Sequence, residues 1–574
     1  MQDTCLNPLA ELVWRTRYRH ARRAGERGPA DTMMRVARAL AAGERDAVAW
    51  CERFRGILAD YVFLPGGRIL AAAGTGSSAT LLNCFVMGPL DDAPARLFRA
   101  LAEGALTMRL GGGAGWDFSA LRPRGTALAA GGVAPGPVAC LELWNAACKA
   151  MTGASARGGA MMASLSVGHP DIAGFIEAKA RAGTLEHFNL SVQVSDAFIA
   201  AVEADATWRL DDAARAGPPE TILPARLLWR RMLECMLEWS EPGVLFVDTM
   251  NRENNLWWRE RLTTTNPCGE APLPAYGACD LGSINLAALV ERPFTPAARI
   301  DRDRLARVAS TAVRLLDDVL DATRYPLARQ RREALATRRV GLGVTGLGDA
   351  LAMLGLRYDG ELAREEAAAL LEVIKLAAYD ASVDIAAEKG PFAAFDRDRY
   401  LEGAFVRRLP ARLRDRIARD GIRNSHLLAI APTGSVSLLA GNVSPGIEPI
   451  PALRQRRRVR DGADWREVAA EDWAWSMSGR SPGGTGAFVE AADVAPEAQL
   501  SMQAALQRHV DGAISKTLLL PSGADIDRLG ALVVRAHREG LKGIAAHRLG
   551  SARGSVVIPG CAARQRGGAE CDPA

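Results

Sequence analysis

The chain has 574 residues, of which 48% are apolar, 24% charged and 6% aromatic, a balance that excludes disordered, collagen-like and disulfide-stapled miniprotein classes. Lys plus Arg at 71 against Asp plus Glu at 66 leaves a net charge of +5, too small a bias to call for nucleic acid as a partner. No stretch reaches the roughly 18 uninterrupted apolar residues of a membrane span. The start, MQDTCLNPLAELVWRTRYRHARR, lacks the basic, apolar and small-residue order of a signal peptide, so a cytoplasmic protein with no membrane partner is expected.

In chain order, residues 1–62 read as helical, with Leu9, Leu12, Val13, Met34, Val36 and Leu40 at helical spacing among arginines. From Phe63 short apolar runs broken by glycine alternate with longer helical stretches at 93–109 and 223–240, the pattern of an α/β protein. Residues 241–286 are rich in loops with buried-strand fragments, and helices resume at 302–322 and 361–388. The stretch HLLAIAPTGSVSLLAGNVSPGIEP (426–449) reads as an apolar strand entering a Gly/Ser turn. Residues 452–497 read as irregular, exposed connections, with the arginines of 454–460 as a solvated loop.

The ten cysteines are scattered, with no CxxC pair and no Cys/His cluster of zinc spacing, so no metal site is expected and most are small buried hydrophobes. Asn266-Pro267-Cys268-Gly269-Glu270 stands out because amide, thiol and carboxylate occupy alternate positions, which an extended backbone turns to one side. A turn with a buried thiol and a solvated Glu explains the same residues equally well. Cys84 in LLNCFVMG and Cys279 in GACDLGSINL lie in apolar, strand-like runs, where a thiol pair exchanging two electrons with a substrate would sit.

These segments, together with FLPGGRIL, LGGGAGWDFSALRPRG, ARGGAMMASLSVGHPDIAGFIEAK, FNLSVQVSDAF, EPGVLFVD, RRVGLGVTGLGDAL, APTGSVSLLAGNVSPGIEP and AISKTLLLP, resemble the catalytic chain of ribonucleotide reductases. The resemblance is to the adenosylcobalamin-dependent class. None of the seven tyrosines is adjacent to another, as a tyrosine radical path would need, and no glycyl-radical motif follows Lys516. It implies an N-terminal helical region (1–62), a ten-stranded α/β barrel with a central finger loop (63–525) and a C-terminal segment with a flexible cysteine-containing tail (526–574).

By the same resemblance, Cys268 becomes the thiyl radical, Glu270 is the general base for the 3'-hydroxyl, Asn266 binds the ribose, and Cys84 and Cys279 supply two electrons and end as a disulfide. Asn83, Gly113, Pro267 and Gly269 line the substrate pocket, and Pro432, Thr433, Gly434, Ser435 and Val436 form the phosphate site, where glycine and successive backbone N–H groups, with the hydroxyls of Thr433, Ser435 and Ser437, can cradle an anion. Asp91 and Arg157 would contact or relay the allosteric effector, a dNTP or ATP. Cys561 and Cys571 would shuttle electrons from thioredoxin or glutaredoxin, although relatives space such a pair more closely. A homodimer acting on ribonucleoside diphosphates is expected, without the ATP cone that controls overall activity in some relatives. Triphosphate reduction, or nucleotide binding without catalysis, are the other readings.

Overall fold

The chain begins with amphipathic helices because Asn7 and Asp46 accept backbone N–H groups of Ala10 and Ala49, capping Pro8–Arg17 and Ala47–Leu58 on either side of Pro29–Ala41. The computed structural model describes residues 7–20, 25–128, 131–152, 159–210, 221–461, 464–479, 486–552 and 557–559. Met33, not Met34, joins Val36 and Leu40 in the buried stripe, the neighbour one helical step away being the inward one. Helices 29–41 and 47–58 pack on the long helix Arg302–Ala322. There Arg314 pairs with Glu44 at 2.7 Å and with Glu388 at 2.6 Å, while Lys389 reaches Glu44 at 2.8 Å.

The main sheet has ten strands: β1 (Phe63–Pro65), β2 (Cys84–Val86), β3 (Gly113–Asp117), β4 (Met161–Ser166), β5 (Phe188–Val194), β6 (Gly243–Phe246), β7 (Ala278–Asn285), β8 (Val340–Thr345), β9 (Thr517–Leu520) and β10 (Gly543–Arg548). Strands β7 and β8 are buried at every position, as expected of strands covered on both faces. From β2 to β6 the neighbours are parallel. So are β7 with β8 and β9 with β10, whereas the two groups meet antiparallel at β2–β7 and β6–β10. Beyond β8, parallel bridges Leu342–Leu428 and Ile430–Ile514 carry the pairing through residues 426–430 to the segment that runs into β9. Two sets of five parallel segments therefore oppose each other, and the hydrogen-bonded path returns on itself.

This is the ten-stranded α/β architecture the sequence led us to expect, with two differences at its margins. The sheet continues to Arg548, past the boundary at 525, because the helix Ile526–Arg538 returns the chain to place β10 between β9 and β6. Residues 454–471 are not loops: Arg454–Asp461 pairs antiparallel with Asp464–Glu471, and Val557–Pro559 adds a third strand. Ion pairs such as Arg454–Glu471 across the hairpin let a charge-rich sequence form strands. Among the described residues no helix is long and apolar enough to cross a membrane.

Candidate active site

A short hairpin runs through the inside of this ring. Thr264–Thr265 pairs antiparallel with Pro272–Leu273, and the tip between them carries the NPCGE motif. Gly269 N–H donates to the Asn266 carbonyl at 3.1 Å, with Gly269 at φ +87°, a conformation costly for any residue with a Cβ. Ala271 N–H donates to Asn266 Oδ1 at 3.0 Å, so the asparagine side chain closes the tip. The hairpin is held on two sides. Asn189 Nδ2 of β5 donates to the Pro267 carbonyl at 2.7 Å, and Ala513 N–H donates to the Glu270 carbonyl at 2.9 Å. A Cβ on Gly115 of β3 would lie 1.9 Å from the Thr265 carbonyl oxygen, so the absence of a side chain there admits the hairpin.

The five residues singled out for chemistry converge. Cys84 and Cys279 stand directly opposite each other across the antiparallel β2–β7 pair, where Cα atoms lie about 4.5–5.5 Å apart, within the span a disulfide bridges. Both are free thiols here. Asn266 Nδ2 donates to Cys84 Sγ at 3.1 Å, and the Cys84 thiol donates to Glu270 Oε1 at 3.7 Å. Asn266 and Glu270 thus meet the same sulfur, though by folding of the hairpin tip rather than by strand alternation. Glu270 is 1% exposed, whereas Cys268 at the tip keeps open surface, the reverse of a buried thiol beside a solvated Glu.

Burial sets the protonation of the group. It raises the Cys84 and Cys279 thiols well above the ordinary value, with the nearby carboxylates adding to the effect. Cys268 opens onto a cavity yet is surrounded by the protein, and this enclosure raises its thiol too, Glu270 contributing, so all three sulfurs keep their hydrogens at neutral pH. Burial also raises the Glu270 carboxyl above the ordinary carboxylate value, against the lowering influence of its hydrogen bonds. Glu270 Oε2 and Asn83 Oδ1 are buried without a partner, two acceptors left for a ligand. Gly113 N–H donates to the Asn83 carbonyl at 2.8 Å, and a Cβ on Gly113 would lie 3.1 Å from the Pro267 ring, which places both residues beside the tip.

Cys268, Pro267, Gly269 and Pro432 face a cavity of about 500 Å³ between β5, β6, β9 and β10. Its walls mix Leu190, Val244 and Ile544 with Ser191, Glu241, Lys516 and His547. Lys516 is held by Glu448 and Gln499, and Ser240 shares a 2.8 Å hydrogen bond with His547 Nδ1. Neither Lys516 nor His547 stood out in the sequence, since a single Lys or His at a strand end carries no spacing signal.

The stretch after Pro432 is a one-and-a-half-turn helix, Gly434–Leu439, rather than a simple turn. Thr433, at φ +47°, spends its hydroxyl on Thr345 at 2.9 Å and on Gly446 N–H at 2.8 Å, and Ser437 donates to the Gly434 carbonyl at 3.0 Å. Val436 is buried, leaving Gly434 and Ser435 at the open face. Asp91 accepts from Ala93 N–H at 2.8 Å, pairs with Arg96 at 2.7 Å, and borders a separate cavity of about 390 Å³ with Arg99, Glu103, Tyr276 and Arg329. Arg157, Cys561 and Cys571 lie outside the described residues.

Comparison with known proteins points the same way. The ribonucleotide reductase barrel domain matches residues 82–547, and the ribonucleotide reductase all-alpha domain matches residues 5–78. The chain is similar to a vitamin B12-dependent ribonucleoside-diphosphate reductase of Mycobacterium tuberculosis, with 39% identity over 96% of this chain and 80% of the relative. An enzyme of the same name from Thermoplasma acidophilum shares 32% over 89% of this chain and 67% of the relative. The ribonucleoside-diphosphate reductase large chain of Encephalitozoon cuniculi shares 26% over 67% of this chain and 54% of the relative.

Proposed function

Because the chain belongs to the ribonucleotide reductase large-chain family, we propose that it is a vitamin B12-dependent reductase of ribonucleoside diphosphates, working through a thiyl radical on Cys268. The observation that carries this reading is the convergence of three protonated thiols, an amide and a buried carboxyl with a free oxygen at one hairpin tip. Nucleotide binding alone needs none of the thiols.

The cavity beside Cys268 fits the nucleoside end of adenosylcobalamin. Its volume of about 500 Å³ holds a nucleoside, its walls offer both apolar contact and hydrogen-bonding groups, and the thiol lies in the wall. Ser191, Glu241, Lys516 and His547 are the polar groups that would hold it. When bound, adenosylcobalamin supplies the radical that opens the Cys268 S–H bond. Cys268 then takes the hydrogen from ribose C3' and returns it at the end. Glu270 takes the 3'-hydroxyl proton through its unpartnered oxygen, which makes departure of the 2'-hydroxyl as water feasible, while Asn266 fixes the ribose and keeps Cys84 in place. Cys84 and Cys279 give up two protons and two electrons and join as a disulfide. Their facing positions allow this without backbone movement.

Around this core, Pro432, Thr433, Gly434, Ser435 and Val436 receive the phosphates, Asn83 and Gly113 line the sugar, Asp91 and Arg157 read a dNTP or ATP effector, and Cys561 and Cys571 pass electrons from thioredoxin or glutaredoxin in the cytoplasm. Exposed Phe98, Leu106, Leu143 and Met151 on the adjacent helices Pro94–Arg109 and Gly136–Thr152 support a homodimer. Incubation with CDP, adenosylcobalamin and dithiothreitol should yield dCDP. Conversion of CTP in preference to CDP would replace the diphosphate reading, and no product from either would leave a nucleotide-binding homologue.

A further inference from the structure

Ser435 is the turn hydroxyl that is not spent inside the turn, and its partner comes from the other end of the chain. The Tyr18 hydroxyl lies 2.5 Å from Ser435 Oγ, across 417 residues of sequence. Thr433 is committed to Thr345 and Gly446, and Ser437 to Gly434. The space over Gly434 is open, and Ser435 next to it is only half-buried.

Tyr18 is 1% exposed and held firmly. It caps the helix Pro8–Arg17, its N–H bonding to the Trp14 carbonyl at 2.9 Å. At the other end of that helix Asn7 Nδ2 donates to the Gly441 carbonyl at 3.2 Å, just beyond Gly434–Leu439. Arg35 donates to the Tyr18 carbonyl at 3.3 Å and to the Leu70 carbonyl at 2.9 Å, tying the tyrosine to the segment after β1. The N-terminal helical region therefore closes one side of the turn.

We propose that Tyr18 is a positioning residue for the substrate phosphates, acting through Ser435. A serine hydroxyl has one proton and two lone pairs, and a phenol is the stronger donor of the two. When Tyr18 donates to Ser435 Oγ, the serine proton is left for a phosphate oxygen, and the chained bonds strengthen each other. Without Tyr18 the serine proton is free to turn away. This inference rests on the phosphate reading of the turn, and the test separates the two.

Tyr18→Phe keeps the buried ring and removes only the hydroxyl. In the full chain with adenosylcobalamin and dithiothreitol, it should raise the KM for CDP and the inhibition constant of inorganic pyrophosphate by about three- to tenfold, with kcat within about twofold of the parent. Ser435→Ala should do the same, and the double variant should add little, because both remove one chain of hydrogen bonds. If Ser435→Ala raises both constants and Tyr18→Phe moves neither, the tyrosine only packs and the inference fails while the phosphate turn stands. If neither variant moves either constant, the phosphates bind elsewhere and both readings fail, whatever the melting temperatures show.

Discussion

Each of the three central sulfurs has a distinct geometry, and substitution should expose distinct roles. Cys268→Ser is nearly isosteric, but an O–H bond is too strong to be opened in place of S–H, so dCDP formation should vanish while CDP binding measured by equilibrium dialysis persists. Cys84→Ser or Cys279→Ser should stop normal turnover even with excess dithiothreitol, because no external thiol replaces a hydrogen donor fixed against the ribose. A rate near that of the parent in either variant would remove the pair from the reaction. Glu270→Gln keeps the shape and the contact with Cys84 but removes the base, and kcat should fall about 10²- to 10⁴-fold. Hydrogen exchange between Cys268 and the cofactor, followed with tritium, should survive that change.

At the scale of the element, the hairpin matters more than any single contact, since it carries Asn266, Cys268 and Glu270 together into the ring. Its seat is Gly115, whose missing side chain leaves room for the Thr265 carbonyl. Gly115→Ala should push the hairpin aside, costing about 1–3 kcal/mol of stability by overpacking and lowering kcat about a hundredfold through displacement of the tip. Chemical denaturation and steady-state assays read the two effects separately, and an unchanged kcat would show that the tip tolerates the shift. The loop of three glycines at 111–113 was visible in the sequence, whereas Gly115 was not distinguished from it. Only the approach of a chain segment about 150 residues later makes that position special.

For the whole molecule, the N-terminal helices are joined to the barrel by buried charge. Arg314 of the long helix has a 7% exposed side chain and Glu44 a 1% exposed one. Arg314→Met should destabilise the protein by about 3–5 kcal/mol, because it leaves the buried Glu44 carboxylate to share Lys389 with Asp318, and urea unfolding should show the loss. Burial by itself would raise the Glu44 carboxyl. The hydrogen bonds from Arg314 and Lys389 outweigh burial and hold it at about 2, against 4.5 for the free group. A lowered folded-state value gives stability that is present above the unfolded pKa and lost as pH falls from about 4.5 toward 2, and the Arg314→Met variant should show a weaker acid transition in that window.

The α/β class, the extents of the major helices and the chemistry-bearing segments were legible in the one-dimensional pattern. Local periodicity and the NPCGE residues depend on neighbours within a few positions. The facing of Cys84 and Cys279 was implied by the resemblance but by no local pattern, because strand register is set by pairing between segments nearly 200 residues apart. The hairpin at 454–471 was misread for a related reason: cross-strand ion pairs compensate a charge run that in isolation favours solvent. Nor does any spacing connect Tyr18 to Ser435, or set Glu270 inside and Cys268 at an open surface. By itself the sequence determined which thiol, amide and carboxyl groups are available to the proposed radical chemistry. Their distances, burial and partners were decided only by the closing of the sheet around the hairpin, since those quantities depend on contacts that exist only once the ring is formed.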